Sequence, residues 1–248
     1  MDLTGKIALV TGGGTGLGRE VSLLLARHGA DVAINYSRSA QEAAETAAQI
    51  RDLGRRALTV QADVGSVAEV ERLVETVARE LGGLDILVNN AGTTEFIPFS
   101  DLEAVTEEVW DRIMAVNVKG VFYCSRAAAR VMRARGGGRI VNITSVSALR
   151  PGGSSIPYSV SKAAETMVTK CLALALAPTI TVNAVAPGLM DTRWGRRWGE
   201  EGIQRAIAEA PLKKLPDLDD IAEAVLFLIR NDSMTGQTIV VDAGRVMH

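Results

Sequence analysis

Tyr158 and Lys162 are the two side chains whose types and spacing point most directly to chemistry. They lie four positions apart in a predicted helix, so both project from one face. A free tyrosine, with a pKa of about 10, is a poor proton donor or acceptor at neutral pH. A fixed positive charge nearby favours the phenolate. The pair is therefore predicted to transfer a proton.

Ser145 lies 13 residues upstream of Tyr158, at the end of a predicted strand. Its hydroxyl could polarise a carbonyl oxygen while tyrosine supplies the proton, which suits ketone reduction or alcohol oxidation if a hydride source lies opposite. We interpret the flanking Thr144 and Ser147 as structural. A single tyrosine on a helix usually packs and a single serine usually caps, so this prediction depends on the whole set.

The elements that must position these groups form a regular alternation. Short β-rich apolar runs alternate with amphipathic helical segments, as in a parallel sheet that is covered on both faces. The pattern predicts an α/β fold, a doubly wound open sheet of about seven strands with helices on both faces. We find no linker and expect one domain over residues 1–248, with a turn and a long helix over 101–135. The predicted strands are 6–10, 31–35, 57–61, 85–89, 139–143, 180–185 and 238–242.

A glycine-rich segment, TGGGTGLG at 11–18, follows the first strand and opens a helix. Glycines there allow close approach of a pyrophosphate, which the helix N-terminus attracts. Ligands of such sheets bind at the carboxyl ends of the strands. The spacing is not GxGxxG, so the segment alone leaves a ligand-free glycine turn equally open.

Four blocks together are more specific than any one of them: TGxxxGxG at 11–18, NNAG at 89–92, Asn117 in MAVNVKG, and the Ser145-Tyr158-xxx-Lys162 set. In order and spacing they resemble the short-chain dehydrogenase/reductase family, from residue 6 to 242. The stretches WDRIMAVNVKGVF, RIVNITSVSAL and VNAVAPG are most similar to 3-oxoacyl-acyl-carrier-protein reductases. The resemblance implies a Rossmann-type fold and an oxidoreductase that reduces a ketone to a secondary alcohol.

The resemblance also implies residue roles. Tyr158 would be the general acid in reduction and the base in oxidation, and Ser145 would polarise the substrate oxygen. Lys162 would favour the phenolate and bond the nicotinamide ribose, and Asn117 on the long fourth helix would hold a relay water. The implied cofactor-binding residues are Gly12, Thr15, Gly16, Leu17, Gly18, Asp63, Val64, Asn90, Ala91, Gly92, Tyr158, Lys162, Pro187, Gly188 and Thr192.

The end of the second strand indicates which nicotinamide cofactor is bound. An acidic residue there would accept the adenosine ribose 2′-hydroxyl and repel a 2′-phosphate. Tyr36 occupies this position, and no carboxylate lies between Asp31 and Glu42. Ser37 and Arg38 follow and could bind a phosphate, although a solvated loop arginine is the alternative. The sequence predicts NADP(H) rather than NAD(H).

The resemblance implies a variable substrate lid at about 188–212, where this sequence has glycine hinges and the side chains of Trp194 and Trp198; a mobile surface loop is the alternative. Its arginines, Arg193, Arg196 and Arg197, are interpreted as solvated charges on a surface loop. Further wall positions are expected at Thr93, Thr94, Phe96, Val146, Leu149 and Met190.

An acidic acyl carrier protein would need a basic docking surface. Arg130, Arg133, Arg135 and Arg139 could form one, or could only complement the C-terminal dipole of the fourth helix. Carrier recognition is therefore an open alternative beside a free small ketone, sugar, steroid-like or polyketide substrate. A non-catalytic dinucleotide-binding sensor or scaffold is the alternative from another class.

Bulk properties exclude other classes of protein. A net charge of −2 gives no reason to expect nucleic-acid or membrane binding, and the longest apolar stretch, 171–177, is too short to span a bilayer. No targeting segment is found, which predicts a cytoplasmic protein. Cys124 and Cys171 are expected to be buried thiols, and His28 and His248 fit no metal site. Apolar faces of the helices at 106–134 and 157–177 predict that they serve assembly as well as the core, and the resemblance implies a homotetramer.

Overall fold

A computed structural model describes residues 1–247, and His248 lies outside the described residues. Seven parallel strands form one sheet in the order β3-β2-β1-β4-β5-β6-β7, with the bounds given below. Each predicted strand is confirmed to within about two residues at its ends. The strands are β1 Ile7–Val10, β2 Asp31–Tyr36, β3 Ala57–Gln61, β4 Ile86–Asn89, β5 Gly138–Ile143, β6 Ile180–Pro187 and β7 Thr238–Val241.

The described residues 1–247 contain eight α-helices, six of which cover the two faces of this sheet. They are α1 Gly16–Arg27, α2 Ala40–Asp52, α3 Val67–Leu81, α4 Glu107–Met114, α5 Val121–Ala134, α6 Ile156–Leu176, α7 Gly199–Glu209 and α8 Leu218–Arg230. Helices α1, α2 and α8 share one apolar core with the sheet, and α3, α5 and α6 share the other. Because successive strand residues point to opposite faces, Ala8 enters the first core and Leu9 enters the second. The doubly wound architecture is thus confirmed.

The order of the strands reverses at β1, which pairs with β2 on one side and with β4 on the other. Crossovers on the two sides lead away in opposite directions, so a crevice opens at the carboxyl ends of β1 and β4. This crevice is where the glycine-rich segment and the polar residues after β4 and β5 are brought together.

The predicted long helix over 101–135 is interrupted. Helix α4 ends at Met114, a π-helical turn occupies Ala115–Gly120, and α5 begins at Val121. A π turn inserts an extra residue into the helical repeat and so reorients the side chains that follow it. Asn117 lies within this turn and is fully buried.

Two expectations about single residues are tested by burial. Cys124 is a buried free thiol, but Cys171 is exposed, because it lies on the outer side of α6.

No helix within residues 1–247 is long and apolar enough to cross a membrane. Over the same residues, no group of three or more histidines, cysteines or carboxylates is placed to hold a metal ion.

Candidate active site

One cavity of about 1010 Å³ runs along the carboxyl ends of the strands. It brings most of the sequence-predicted site residues together. Gly18, Asn117 and Pro187 do not line it and lie behind its wall. The predicted site residues that line it are Gly12, Thr15, Gly16, Leu17, Tyr36, Ser37, Arg38, Asp63, Val64, Asn90, Ala91, Gly92, Ser145, Tyr158, Lys162, Gly188 and Thr192.

The glycine loop between β1 and α1 depends on residues without a side chain. Gly12 and Gly16 have positive φ values of 62° and 50°, which other residues rarely adopt. A Cβ atom on Gly18 would lie 2.2 Å from the carbonyl oxygen of Gly12. The absence of a side chain on Gly18 therefore allows the start of α1 to pack against the backbone of Gly12, while the backbone of the loop faces the cavity.

Hydrogen bonds fasten this loop to the segment after β4. The hydroxyl of Thr11 accepts from the backbone N–H groups of Asn90 and Ala91, each at 3.0 Å. The side-chain amide of Asn90 donates to the carbonyl oxygens of Thr11 at 2.9 Å and Gly12 at 3.1 Å. Asn90 of the NNAG segment thus holds the glycine loop in place.

At the β2 and β3 end of the cavity, Tyr36 ends β2, and Ser37 and Arg38 line the wall. The guanidinium of Arg38 makes no ion pair with any residue in the described part of the chain. Asp63 accepts hydrogen bonds from Arg112 at 2.8 Å and from the N–H of Gly65 at 2.9 Å. Partial burial raises the pKa of Asp63, but these two hydrogen bonds and the charges of Arg112 and Arg38 outweigh that effect and hold it below its usual value. A second, polar cavity of about 460 Å³ adjoins this end.

Ser145 and Tyr158 lie at the other end of the cavity. The hydroxyl of Ser145 accepts from the N–H of Ser147 at 3.1 Å, where a short 3₁₀ turn begins. Ser155 caps α6, with its hydroxyl accepting from the N–H of Tyr158 at 3.4 Å. The ring of Tyr158 packs edge-on against Trp194, with 5.8 Å between centroids. Both polar groups are therefore fixed by local structure and face the same space.

Lys162 lies behind Tyr158, with its ammonium nitrogen 5.9 Å from the centre of the phenol ring. This nitrogen donates to the carbonyl oxygen of Ile143 at 2.8 Å and to the carboxylate of Glu165 at 2.7 Å. Burial lowers the pKa of Lys162, but Glu165 and Tyr158 raise it by more, so it lies above its ordinary value. Lys162 is therefore held as a cation beside the phenol.

Glu165 was missed by the sequence analysis. Burial raises the pKa of its carboxyl to about 7, against the opposing effect of Lys162. The available signal was its position: Glu165 is the one acidic residue in the 21-residue helix α6, and it follows Lys162 by three positions. Nothing in that spacing distinguishes a buried pair from a solvated one.

Asn117 connects the loop after β4 to α6. Its side-chain oxygen accepts from the N–H of Thr93 at 2.8 Å, and its amide nitrogen donates to the carbonyl of Thr93 and the hydroxyl of Ser161, each at 3.0 Å. Both amide protons are thus used, and one lone pair of the oxygen is left.

The predicted lid contains a 3₁₀ turn, Gly195–Trp198, followed by α7. Arg193 reaches across to the start of α2, where it donates to Glu42 at 2.9 Å and to Ser39 at 3.2 Å. At the opposite side Trp198 packs edge-on against Phe96, with 5.4 Å between centroids. The segment is therefore connected to both ends of the cavity.

Most of the expected wall positions lie where they were predicted, since Thr93, Thr94, Val146 and Met190 line the cavity. Phe96 lies behind this wall, against Trp198. The prediction for Leu149 is wrong. This residue does not line the cavity, and 39% of it is exposed, because it follows the 3₁₀ turn and points outward.

The four arginines considered as a basic docking surface are occupied by partners. Arg130 pairs with Glu71, Arg135 with Asp85 at 3.1 Å, and Arg139 with Asp232. Arg133 donates to the carbonyl oxygen of Ala175 at 3.3 Å. Three of the four charges are compensated by carboxylates, so this region is not the strongly basic surface that an acidic partner requires.

A glycine-lined crevice at the switch point of a doubly wound sheet, facing a serine, a tyrosine and a lysine, defines a dinucleotide-dependent oxidoreductase. The family model for short chain dehydrogenases matches residues 6–202. The chain belongs to this family, and it is an oxidoreductase that acts on carbonyl or alcohol groups.

Among curated relatives, the chain is 42% identical to a Streptomyces violaceoruber protein assigned as ketoacyl reductase 2 of the granaticin polyketide synthase, over 96% of this chain and 95% of that one. It is 36% identical to a 3-oxoacyl-[acyl-carrier-protein] reductase of Synechocystis, over 99% and 98% of the two chains. Among solved structures, a short chain dehydrogenase from Burkholderia cenocepacia in complex with NADP is 39% identical, with 99% of each chain covered and a TM-score of 0.92.

Proposed function

We propose that this protein reduces a ketone to a secondary alcohol with NADPH, and that Tyr158 donates the proton to the product oxygen. The observation that carries the proposal is the single cavity that joins the glycine loop to Ser145, Tyr158 and Lys162. Relatives assigned as ketoacyl reductases support the same reaction type.

The residues of the cavity fit the cofactor. The loop containing Gly12 and Gly16 offers backbone N–H groups at the start of α1 to a pyrophosphate. Ser37 and Arg38 would hold a 2′-phosphate, since no carboxylate lies at the end of β2 or in the turn before Glu42 to repel it. The related Burkholderia structure with NADP supports this choice over NAD(H). When bound, the cofactor supplies the hydride.

The chain's own residues would manage the oxygen and its proton. The hydroxyl of Ser145 would donate to the substrate oxygen as negative charge develops there. Tyr158 would transfer its phenolic proton to that oxygen, and the buried cation of Lys162 would stabilise the phenolate that remains. Asn117 would fix the geometry behind them, with its one remaining oxygen lone pair available to a relay water.

The substrate we propose is a 3-oxoacyl thioester or a similar ketone. Relatives named as a ketoacyl reductase and a 3-oxoacyl-[acyl-carrier-protein] reductase support the thioester as the substrate. The compensated charges of Arg130, Arg135 and Arg139 argue against carrier-protein docking on that surface. Sugar, steroid-like and polyketide alcohols remain the alternative, to which the aromatic walls of Trp194 and Trp198 would be suited.

The same proposal extends to assembly. We infer a single catalytic domain over residues 1–248 that forms a cytoplasmic homotetramer. An exposed apolar stripe supports the assembly, formed by Val160, Met167 and Leu174 on α6 with Phe122 on α5. Light scattering during gel filtration should give a mass of four 26.3 kDa chains, and a monomer mass would contradict it.

The experiment that tests the function follows the loss of reduced nicotinamide absorbance with NADPH and with NADH. A short 3-oxoacyl thioester is the first substrate, followed by diketones, quinones and keto-sugars. Turnover of the thioester with NADPH is the expected result. Activity confined to another compound class would move the substrate assignment there, and binding of NADPH without any turnover would contradict the proposed reaction.

A further inference from the structure

Glu165 is a buried carboxyl that the proposed reaction does not use. It follows Lys162 by three positions on α6, so the two side chains share a face. Only 1% of Glu165 is exposed, and its carboxylate accepts from the Lys162 ammonium at 2.7 Å. A carboxylate without water around it interacts strongly with any charge that shares its surroundings.

The ammonium of Lys162 has three protons. One is donated to Glu165 and one to the carbonyl oxygen of Ile143 at the end of β5. The third proton is available to a hydrogen-bond acceptor in the cavity, which Lys162 also lines. The pairing with Glu165 therefore leaves the lysine able to serve the site, but it changes the net charge that the site experiences.

The elements packed against α6 add no other buried charge in the chain up to residue 247. Strands β5 and β6 contribute the uncharged amides of Asn142 and Asn183. Helix α5 contributes Tyr123, which lies against Arg126, and Cys124, whose pKa is raised to about 12 by burial. The charged side chains of α4, the π turn and α5 are exposed: Glu107, Glu108, Asp111, Arg112, Lys119, Arg126, Arg130 and Arg133.

Tyr158 therefore experiences the charge of Lys162 together with that of Glu165. A cation alone would favour the phenolate, whereas a cation paired with a carboxylate exerts a much smaller field. Reduction of a ketone requires the phenol, because the phenol carries the proton that is donated.

We propose that Glu165 is a positioning residue that compensates the charge of Lys162 and thereby keeps Tyr158 in its proton-donating phenol form. The effect on the phenol concerns the protein alone, while its consequence for reduction rests on the proposed function. The Lys162 nitrogen is 2.7 Å from a Glu165 carboxylate oxygen and 5.9 Å from the centre of the Tyr158 ring. At such separations, removing the buried carboxylate charge is expected to move the titration of Tyr158 by about one pH unit.

The test is a spectroscopic titration of the cofactor-free protein. Phenolate absorbance is followed with pH, and the Tyr158→Phe titration is subtracted so that only Tyr158 remains. Glu165→Gln should lower the midpoint by about one pH unit. Glu165→Asp, which keeps the carboxylate, should stay near wild type, as should Glu75→Gln, which removes an exposed carboxylate from α3.

An unchanged midpoint in Glu165→Gln would overturn the proposal, as would equal shifts in the Gln and Asp variants. Glu165→Met provides the same charge removal in a second side chain of similar length, and thermal unfolding identifies variants that are folded. The pH profile of alcohol oxidation should shift downward together with the phenol titration. Because the titration needs no turnover, a shifted midpoint in a protein that reduces no ketone would refute the proposed function and leave the role of Glu165 intact.

Discussion

The two ends of the cavity are built differently. At the glycine loop, backbone groups form the surface, and the loop is held by hydrogen bonds between Thr11, Gly12 and Asn90. At the other end, side chains form the surface, and two residues there depend on buried partners: Lys162 on Glu165, and Asn117, behind the wall, on Ser161. The first end requires the absence of side chains, and the second requires particular pairs of them.

This difference decides how substitutions should act. A change at the loop end alters what is bound, because this end presents the N–H groups of the glycine loop and the side chain of Arg38 after β2 to a ligand. A change at the side-chain end leaves a charged or polar partner buried without compensation, so it affects the chemistry and the stability together.

The largest effect is expected from Lys162→Met. Turnover should fall roughly 10³-fold, because the phenolate loses its cation. The free energy of unfolding should fall by about 3 kcal/mol, because Glu165 is left buried without its partner. Steady-state kinetics and urea unfolding at pH 8 measure the two losses.

The double variant Lys162→Met/Glu165→Leu is the matched control. Removing both charges should restore most of the unfolding free energy while leaving turnover low, since the apolar pair fits a buried site but cannot assist Tyr158. Equal destabilisation in the single and double variants would show that the ion pair does not account for the loss.

A smaller effect, confined to binding, is expected from Arg38→Asp. The ratio of kcat/KM for NADPH over NADH should fall by about 10- to 100-fold, because a charge-assisted hydrogen bond is replaced by repulsion. Arg72→Asp, which changes a residue of the adjoining small cavity, should leave the ratio nearly unchanged. Equal effects of the two variants would remove the specific role of Arg38.

The smallest effect is expected from Arg193→Ala, which removes the contact between the lid and Glu42. Arg193 is largely exposed and Glu42 is partly exposed, so the contact is weak, and KM for NADPH should rise roughly two- to fivefold with kcat unchanged. Arg196→Ala, which breaks an exposed pair with Asp191 inside the lid, serves as the control. A large fall in kcat would mean that Arg193 belongs with the chemistry.

The comparison also explains what could be predicted from the sequence. The strands and the glycine loop were predictable because apolar runs and glycine positions are local signals. The π turn around Asn117 was not, since one inserted residue barely changes the helical periodicity. The burial of Glu165 and the exposure of Leu149 could not be predicted for a related reason. Whether a side chain on a helix or turn is buried depends on what packs against it, which spacing alone does not reveal.

The most direct test of the account is Tyr158→Phe, with NADPH binding and turnover measured on the same preparation. The variant removes one hydroxyl from the side-chain end and leaves the glycine loop unaltered. We predict an NADPH Kd within about twofold of wild type and a roughly 10³-fold loss of turnover. Turnover near the wild-type value would contradict the assignment of Tyr158 as the proton donor and, with it, the proposed reaction.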